Sequence, residues 1–294
     1  MRGILIEVYM TNITADLVKT LREKTSVSMM ECKRALQETN GDINEAIDLL
    51  RKSGIAAAVK KQSRVAAEGL VVVSVNPNKT EAALIEINCE TDFVAKNDKL
   101  LAFAKKIVDL ILVIKNPELN QLMQQKISDQ ETVEDQRLTL IAQLGENIVL
   151  RRSELCSINQ NQVLGVYTHG GTPAKIISVI SLEGGNEELA RDIAMHVAAM
   201  RPEYIVQTDV PAEKFKKEEA IFMEQTKLNN SDKPEDILKK ITAGRVTKFF
   251  KEITLLEQLF VKDQEITIAK LLAKHNAKVI KMLRFEVGEG IEKG

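Results

Sequence analysis

LVVVSVNPNKTEAALIEINCETDFVAKNDKLLAFAKKIVDLI, residues 70–111, decides the fold. Two runs rich in β-branched residues, 70–75 and 82–89, flank the turn-forming NPNKT, a pattern that predicts an antiparallel hairpin. A helix must follow at once. Asn97 or Asp98 caps it, and Leu100, Leu101, Phe103, Ala104, Ile107, Val108 and Ile111 recur at helical spacing as a wide apolar face.

The same plan recurs downstream. Runs 163–168 and 176–182 flank HGGTPAK as a second hairpin, Asn186 caps a second helix, and Leu189, Ile193, Ala194, Val197 and Ala198 face inward. Between the copies, Asn116-Pro117 opens a polar stretch, followed by a helix over about 133–144. The fold class is therefore α+β, with two related subdomains whose antiparallel sheets are covered by helices.

Upstream, residues 14–54 carry three short helical patterns. The first starts at Thr14, with Leu17, Val18 and Leu21 on one face. The second starts at Ser28, with Glu31 completing a capping box, and is expected to bury Met30, Ala35 and Leu36. The third follows the Asn40-Gly41 turn, is capped by Asp42, buries Ile43, Ala46, Ile47 and Leu50, and ends at Ser53-Gly54. IAAAVKKQSRVAA, residues 55–67, then reads as an exposed connector helix.

Beyond the second copy, Pro211 opens a charged helix that runs to about Leu228, NNSDKP breaks it, and a second helix runs to about Phe250. These form an antiparallel helical hairpin able to meet another copy of the chain. A helix from Thr267 and a closing strand, VIKMLRFEVGEG, finish the chain. The division is an extension at 1–9 without a structural role, a three-helix module at 10–54, a connector at 55–69, and a first core subdomain at 70–150. A second core subdomain covers 151–205 and 251–266, with the helical hairpin at 206–250 and a C-terminal helix and strand at 267–294.

The balance of charges, 41 Lys plus Arg against 42 Asp plus Glu, gives no field that would draw in nucleic acid or an anionic membrane. With 4% aromatics there is also little to stack on bases. No apolar run approaches the roughly 18 residues of a membrane span. Cys32, Cys89 and Cys156 are single and far apart, which excludes a disulfide framework and a zinc knuckle and points to the cytoplasm. Phosphate-binding loops, H-E-x-x-H and G-x-S-x-G are lacking, and the three histidines fall in different elements, so an enzyme reading finds no support and neither cofactor nor metal is expected.

Four places look too specific for plain loops. In Thr91-Asp92-Phe93-Val94, Phe93 either tucks beneath the following helix or stands out and presses into a partner. Met29 and Met30 are adjacent and cannot share one helix face, so one of them, with Lys33 beside it, contacts something outside the bundle. His169-Gly170-Gly171 is a hairpin turn, and Leu144-Gly145 is a helix C-cap.

Six segments in order, TSVSMMECKRAL (25–36), NGDINEAIDLLRKSG (40–54), NCETDFVAKN (88–97), LGENIVLRR (144–152), IAMHVAAMRPEY (193–204) and HNAKVIKMLRFEVGEGIEK (275–293), resemble the bacterial elongation factor Ts family. The resemblance implies a three-helix module similar to ubiquitin-associated domains, a two-part core and a dimerising helical hairpin. It implies a non-enzymatic guanine-nucleotide exchange factor of the translational GTPase elongation factor Tu. Thr91, Asp92, Phe93 and Val94 match the segment that dislodges magnesium from the GTPase, with Phe93 as the wedge. Met29, Met30 and Lys33 match the module's contact with the partner; Leu144, Gly145 and His169 match core contacts; Val261 and Lys262 match a contact after the helical hairpin. A second reading is an adaptor that binds ubiquitin-like or nascent-chain partners through the N-terminal bundle without acting on nucleotides.

Overall fold

Apolar residues at helical spacing, each run opened by a side-chain cap, build the first helices of the chain. The computed structural model describes residues 13–25, 27–229 and 233–292; the extension at 1–9 lies outside them. Helices α1 (Ala15–Thr25), α2 (Met29–Glu38) and α3 (Ile43–Lys61) close over Val18, Leu21, Cys32, Ala35, Leu36, Ala46 and Leu50. Ser28 Oγ accepts from Glu31 N, and Asp42 Oδ1 accepts from Asn44 N and Glu45 N, so both predicted caps form.

Two expectations fail here. Met30 is 77% exposed, and Cys32 takes the inward position instead. Helix α3 also does not stop at Ser53-Gly54; it continues to Lys61, so residues 55–61 belong to it and not to a separate connector. The reason is packing: a Cβ at Gly54 would lie 2.9 Å from the Ala142 Cβ. Glycine serves there as a close-approach point inside a helix, and the cost to helix propensity, about 1 kcal/mol, is offset by tertiary contact.

The hairpin of β1 (Glu68–Val75) and β2 (Glu81–Cys89) is joined by β3 (Val149–Ser157) in the order β1-β2-β3. A one-turn helix, α4 (Asp92–Ala95), precedes α5 (Asp98–Ile114), whose N-cap is Asn97 and whose buried face holds Leu100, Phe103, Ala104, Ile107, Val108 and Ile111. Then come α6 (Leu119–Gln124) and α7 (Val133–Leu144), which packs against α5 and α3. Strand β3 was absent from the sequence reading, because Arg151, Arg152 and Glu154 break its apolar alternation.

Those arginines have a partner inside. Glu86, fully buried on β2, accepts from Arg151 at 2.8 Å, Arg152 at 2.6 Å and the Gly288 N–H at 2.8 Å. Burial alone would raise its pKa, but the Gly288 amide and the two guanidinium groups outweigh that and hold the carboxyl below its ordinary value.

The second repeat is β4 (Gln162–His169), β5 (Ile176–Glu183) and α8 (Glu187–Met200), with Asn186 as N-cap. Gly165 lets α8 lie directly on β4, since a Cβ there would strike the Ala190 carbonyl. After a short 3-10 turn, α9 (Ala212–Asn229) and α10 (Glu235–Ile253) form the antiparallel helical hairpin. It carries its own seam, with Phe215 stacked on Phe250 and Phe222 edge-on to Phe249. The two-stranded ribbon of β6 (Leu259–Phe260) and β7 (Asp263–Thr267), helix α11 (Ile268–Lys274) and strand β8 (Lys278–Glu286) follow. Strand β8 pairs antiparallel with β5, and α11 buries Ile268 and Leu272 in the same core as α8. The last helix and strand thus complete the second core.

Contacts group the chain into two units, Met1–Val72 with Leu84–Glu154 and Val287–Gly294, and Val73–Ala83 with Leu155–Glu286. No helix among the described residues is long and apolar enough to cross a membrane.

Candidate functional site

The segment after β2 is held from several sides, and its apolar side chain points out. Thr91 is the N-cap of α4: its Oγ1 accepts from Val94 N. Asp92 pairs with Lys96 at 2.7 Å across one helical turn, Cys89 Sγ lies 3.1 Å from the Thr91 carbonyl, and Val94 is half-buried. Phe93 is 81% exposed, so it does not tuck beneath α5. An exposed aromatic ring on a pinned turn loses little conformational freedom when a partner covers it.

Leu144 and Gly145 sit beside this turn through the chain that follows them. Gly145, at φ 80°, ends α7 in the left-handed conformation, as expected of a C-cap. The next residue, Glu146, accepts hydrogen bonds from Glu90 N, Thr91 N and Thr91 Oγ1. Asn147 N returns a bond to the Glu90 carboxylate at 2.7 Å. In the sequence, the one signal for Glu146 is a charged residue directly after a helix-ending glycine.

On α2, Met29 is 43% exposed and Met30 77%, and Met30 and Lys33 border one shallow depression with Arg34 and Gln37. Both methionines, not one, face outward.

In the second unit, His169 ends β4, exposed, with its ring stacked on Tyr167 at 6.2 Å. Val261 and Lys262 form the two-residue turn between β6 and β7. Helix α8 holds that turn from two positions one turn apart: Asp192 takes Lys262 Nζ at 2.6 Å, and His196 Nδ1 accepts from Val261 N at 3.2 Å. Fully buried His196 gives its other nitrogen to Gln258 Oε1 at 2.9 Å. Because the Gln258 amide nitrogen donates to the Met200 and Glu252 carbonyls, its oxygen faces the ring, and the proton sits on His196 Nε2. Burial pushes the His196 pKa down, with Gln258 opposing weakly, so the ring is neutral in the fold.

The predicted residues thus fall into three exposed places: α2, the α4 turn with the α7 cap, and the ends of β4 and β6. Among the described residues no cluster of three or more His, Cys, Asp or Glu could hold a metal ion. Cys32, Cys89 and Cys156 are buried, and none of them forms a disulfide. The arrangement offers surfaces for a macromolecule.

The family model described as Elongation factor TS matches residues 90–289. Elongation factor Ts of Thioalkalivibrio sulfidiphilus is 48% identical over 281 residues, covering 96% of this chain and 94% of that one. The proteins of that name from Photorhabdus laumondii and Lacticaseibacillus casei are 46% and 45% identical, each over 97% of this chain and 95% of their own length. The region matched by the family model includes the Phe93 turn, the second hairpin–helix repeat and the helical hairpin, the relatives align over nearly the whole chain, and on that ground the chain belongs to the elongation factor Ts family and acts in protein biosynthesis as a translation elongation factor.

Proposed function

We propose that this protein is the guanine-nucleotide exchange factor of elongation factor Tu, working without bond chemistry of its own. The observation that carries the reading is Phe93, four-fifths exposed on a turn whose backbone is tied down. GDP is held partly through a magnesium ion whose charge offsets the phosphates, so displacing the ion weakens both ligands. Thr91 and Val94 shape the turn, Asp92 locks it through Lys96, and Phe93 enters the partner near the ion.

A wedge that fits only the deformed GTPase binds that state better, and nucleotide must bind it more weakly by the same coupling free energy, typically about 1–3 kcal/mol. An apolar side chain suits this task. Its burial supplies about 1.5–3 kcal/mol without a charge needing a partner of its own. Incoming GTP reverses the coupling and releases the factor.

Met29, Met30 and Lys33 dock the N-terminal module on the partner, Leu144 and Gly145 border the wedge, and His169, Val261 and Lys262 form the second unit's contact. The helical hairpin, with Ile221, Leu228 and Ile237 exposed, is the surface for self-association. Nucleic acid and membrane are not partners in this reading, and the factor works in the cytoplasm.

Release of a fluorescent GDP from elongation factor Tu, in excess magnesium and unlabelled nucleotide, tests it. Acceleration that saturates with added protein is the expected result, and no acceleration by folded protein would overturn it. The exposed Met29–Met30 face also favours one alternative, an adaptor whose bundle captures other proteins; binding through α2 with no effect on nucleotide release would support that instead.

A further inference from the structure

Glu146 is assigned no role in the reading above, yet its carboxylate holds three donors of the turn that carries the Phe93 ring. Oε2 accepts from Glu90 N at 3.1 Å and from Thr91 N at 2.9 Å, and Oε1 accepts from the Thr91 hydroxyl at 2.6 Å. The last bond has a second effect. With its proton committed to Glu146, Thr91 Oγ1 presents a lone pair to Val94 N, which sets the first turn of α4. Glu90 reciprocates by accepting from Asn147 N at 2.7 Å, and Arg64, 3.5 Å from Glu90, offsets the second carboxylate.

The segment bearing Glu146 is itself anchored elsewhere in the first unit. Gln143 donates to the Thr25 carbonyl at the end of α1 at 2.8 Å and accepts from Lys99 at the start of α5 at 2.9 Å. Asn147 donates to the Arg64 carbonyl at 2.9 Å, just after α3. Residues 143–147 therefore join the three-helix module, the start of α5 and the wedge turn within five positions.

We infer that Glu146 is a positioning residue for nucleotide exchange: its carboxylate fixes the Thr91–Val94 turn so that Phe93 meets the partner already in its working direction. The inference rests on the exchange reading above. A carboxylate is suited to the place because one group satisfies three donors that converge from one side, and charge-assisted bonds are the stronger kind. A side chain held in place also spares the ordering entropy that a free turn would lose on docking.

The test compares wild type, Glu146→Ala and Glu146→Gln in two measurements. In the free protein, hydrogen exchange at the Glu90 and Thr91 amides should speed up about tenfold or more in Glu146→Ala and less in Glu146→Gln, with β2 and α5 unchanged. In GDP release from elongation factor Tu, the maximal rate should fall about tenfold or more while the half-saturating concentration stays within about threefold, because the docking surfaces are intact.

Unchanged amide protection in Glu146→Ala would overturn the clamp. A raised half-saturating concentration with the wild-type maximal rate would overturn the positioning role and make Glu146 a docking or stability residue. Should Glu146→Ala fail to fold, Glu146→Gln carries both measurements: faster exchange at the two amides with a lowered maximal rate supports the role, and unchanged protection or an unchanged maximal rate overturns it. If wild-type protein itself does not accelerate release, the exchange reading fails and the role of Glu146 in exchange falls with it, whereas the amide measurement still decides whether the clamp exists.

Discussion

The two hairpin–helix repeats follow one plan and differ at one joint. Central strands β2 and β5 are buried almost throughout, both helices are capped by an asparagine, and both end on a left-handed residue, Lys115 at φ 57° and Arg201 at φ 53°. In the second repeat, Gly184-Gly185-Asn186 carries the chain from strand to helix by the shortest route. In the first, residues 90–97 intervene, with an extra turn of helix and an outward phenylalanine. The shared plan supplies stability, and the elaborated joint supplies the surface on which the proposed function depends.

The sharpest way to break that comparison is Phe93→Ala. Losing the burial of one aromatic side chain in the partner should lower the nucleotide-exchange rate about ten- to a hundredfold, while thermal unfolding stays within about 0.5 kcal/mol of wild type because the ring is exposed. An unchanged rate in the folded variant would remove the wedge. Next in size, Gly165→Ala forces a methyl group against the Ala190 carbonyl and should destabilise the second unit by about 1–3 kcal/mol in denaturant unfolding, with protection in α5 unaffected.

How far the sequence carried the reading varied with how local the cause was. Hairpins, caps and the faces of α5 and α8 were legible, because turn residues and apolar spacing act within a few positions. What escaped was settled by distant partners. Strand β3 looks too charged for a strand until Glu86 is placed beneath Arg151 and Arg152, 65 positions away or more. Gly54 reads as a helix end until Ala142 is seen against it. Phe93 had two open readings, and a carboxylate 55 residues after Thr91 holds the turn that displays it. The Met30 expectation failed because helical spacing identifies a face without saying which neighbours fill it. The resemblance named the residues of the site, and their three exposed settings became visible only in the fold.

Two smaller effects sharpen the comparison further. Asn97→Ala and Asn186→Ala remove equivalent N-caps, bonded at 3.0 Å and 2.9 Å, and each should cost about 1 kcal/mol by denaturant titration. A clearly unequal pair of costs would show that the elaborated joint alters the stability of its helix. The gentlest probe is acid.

His196, with its pKa held below the ordinary 6.5, contributes stability that is present above that value and lost as pH falls toward the lowered one. Glu86, held below its ordinary 4.5, contributes stability present above 4.5 and lost only as pH falls through its lowered value. Amide exchange in β5 and α8 should therefore quicken at a higher pH than exchange in β2, and His196→Gln should flatten the earlier step. Simultaneous loss in both units would contradict this order.

The Glu86 cluster also sets a timetable for synthesis. Its Gly288 donor lies 202 positions downstream, and Gly288, at φ 70°, rests against the Ala67 carbonyl, where only glycine fits. Between them the ribosome must make residues 155–286, which belong to the other unit. Until Gly288 emerges, a buried carboxylate in the central strand lacks one of its donors, and the chain's earliest helices and sheet await the last residues of their own unit. The unit that begins first is thus completed last, and the factor carries the topology of a protein whose folding outlasts most of its own translation.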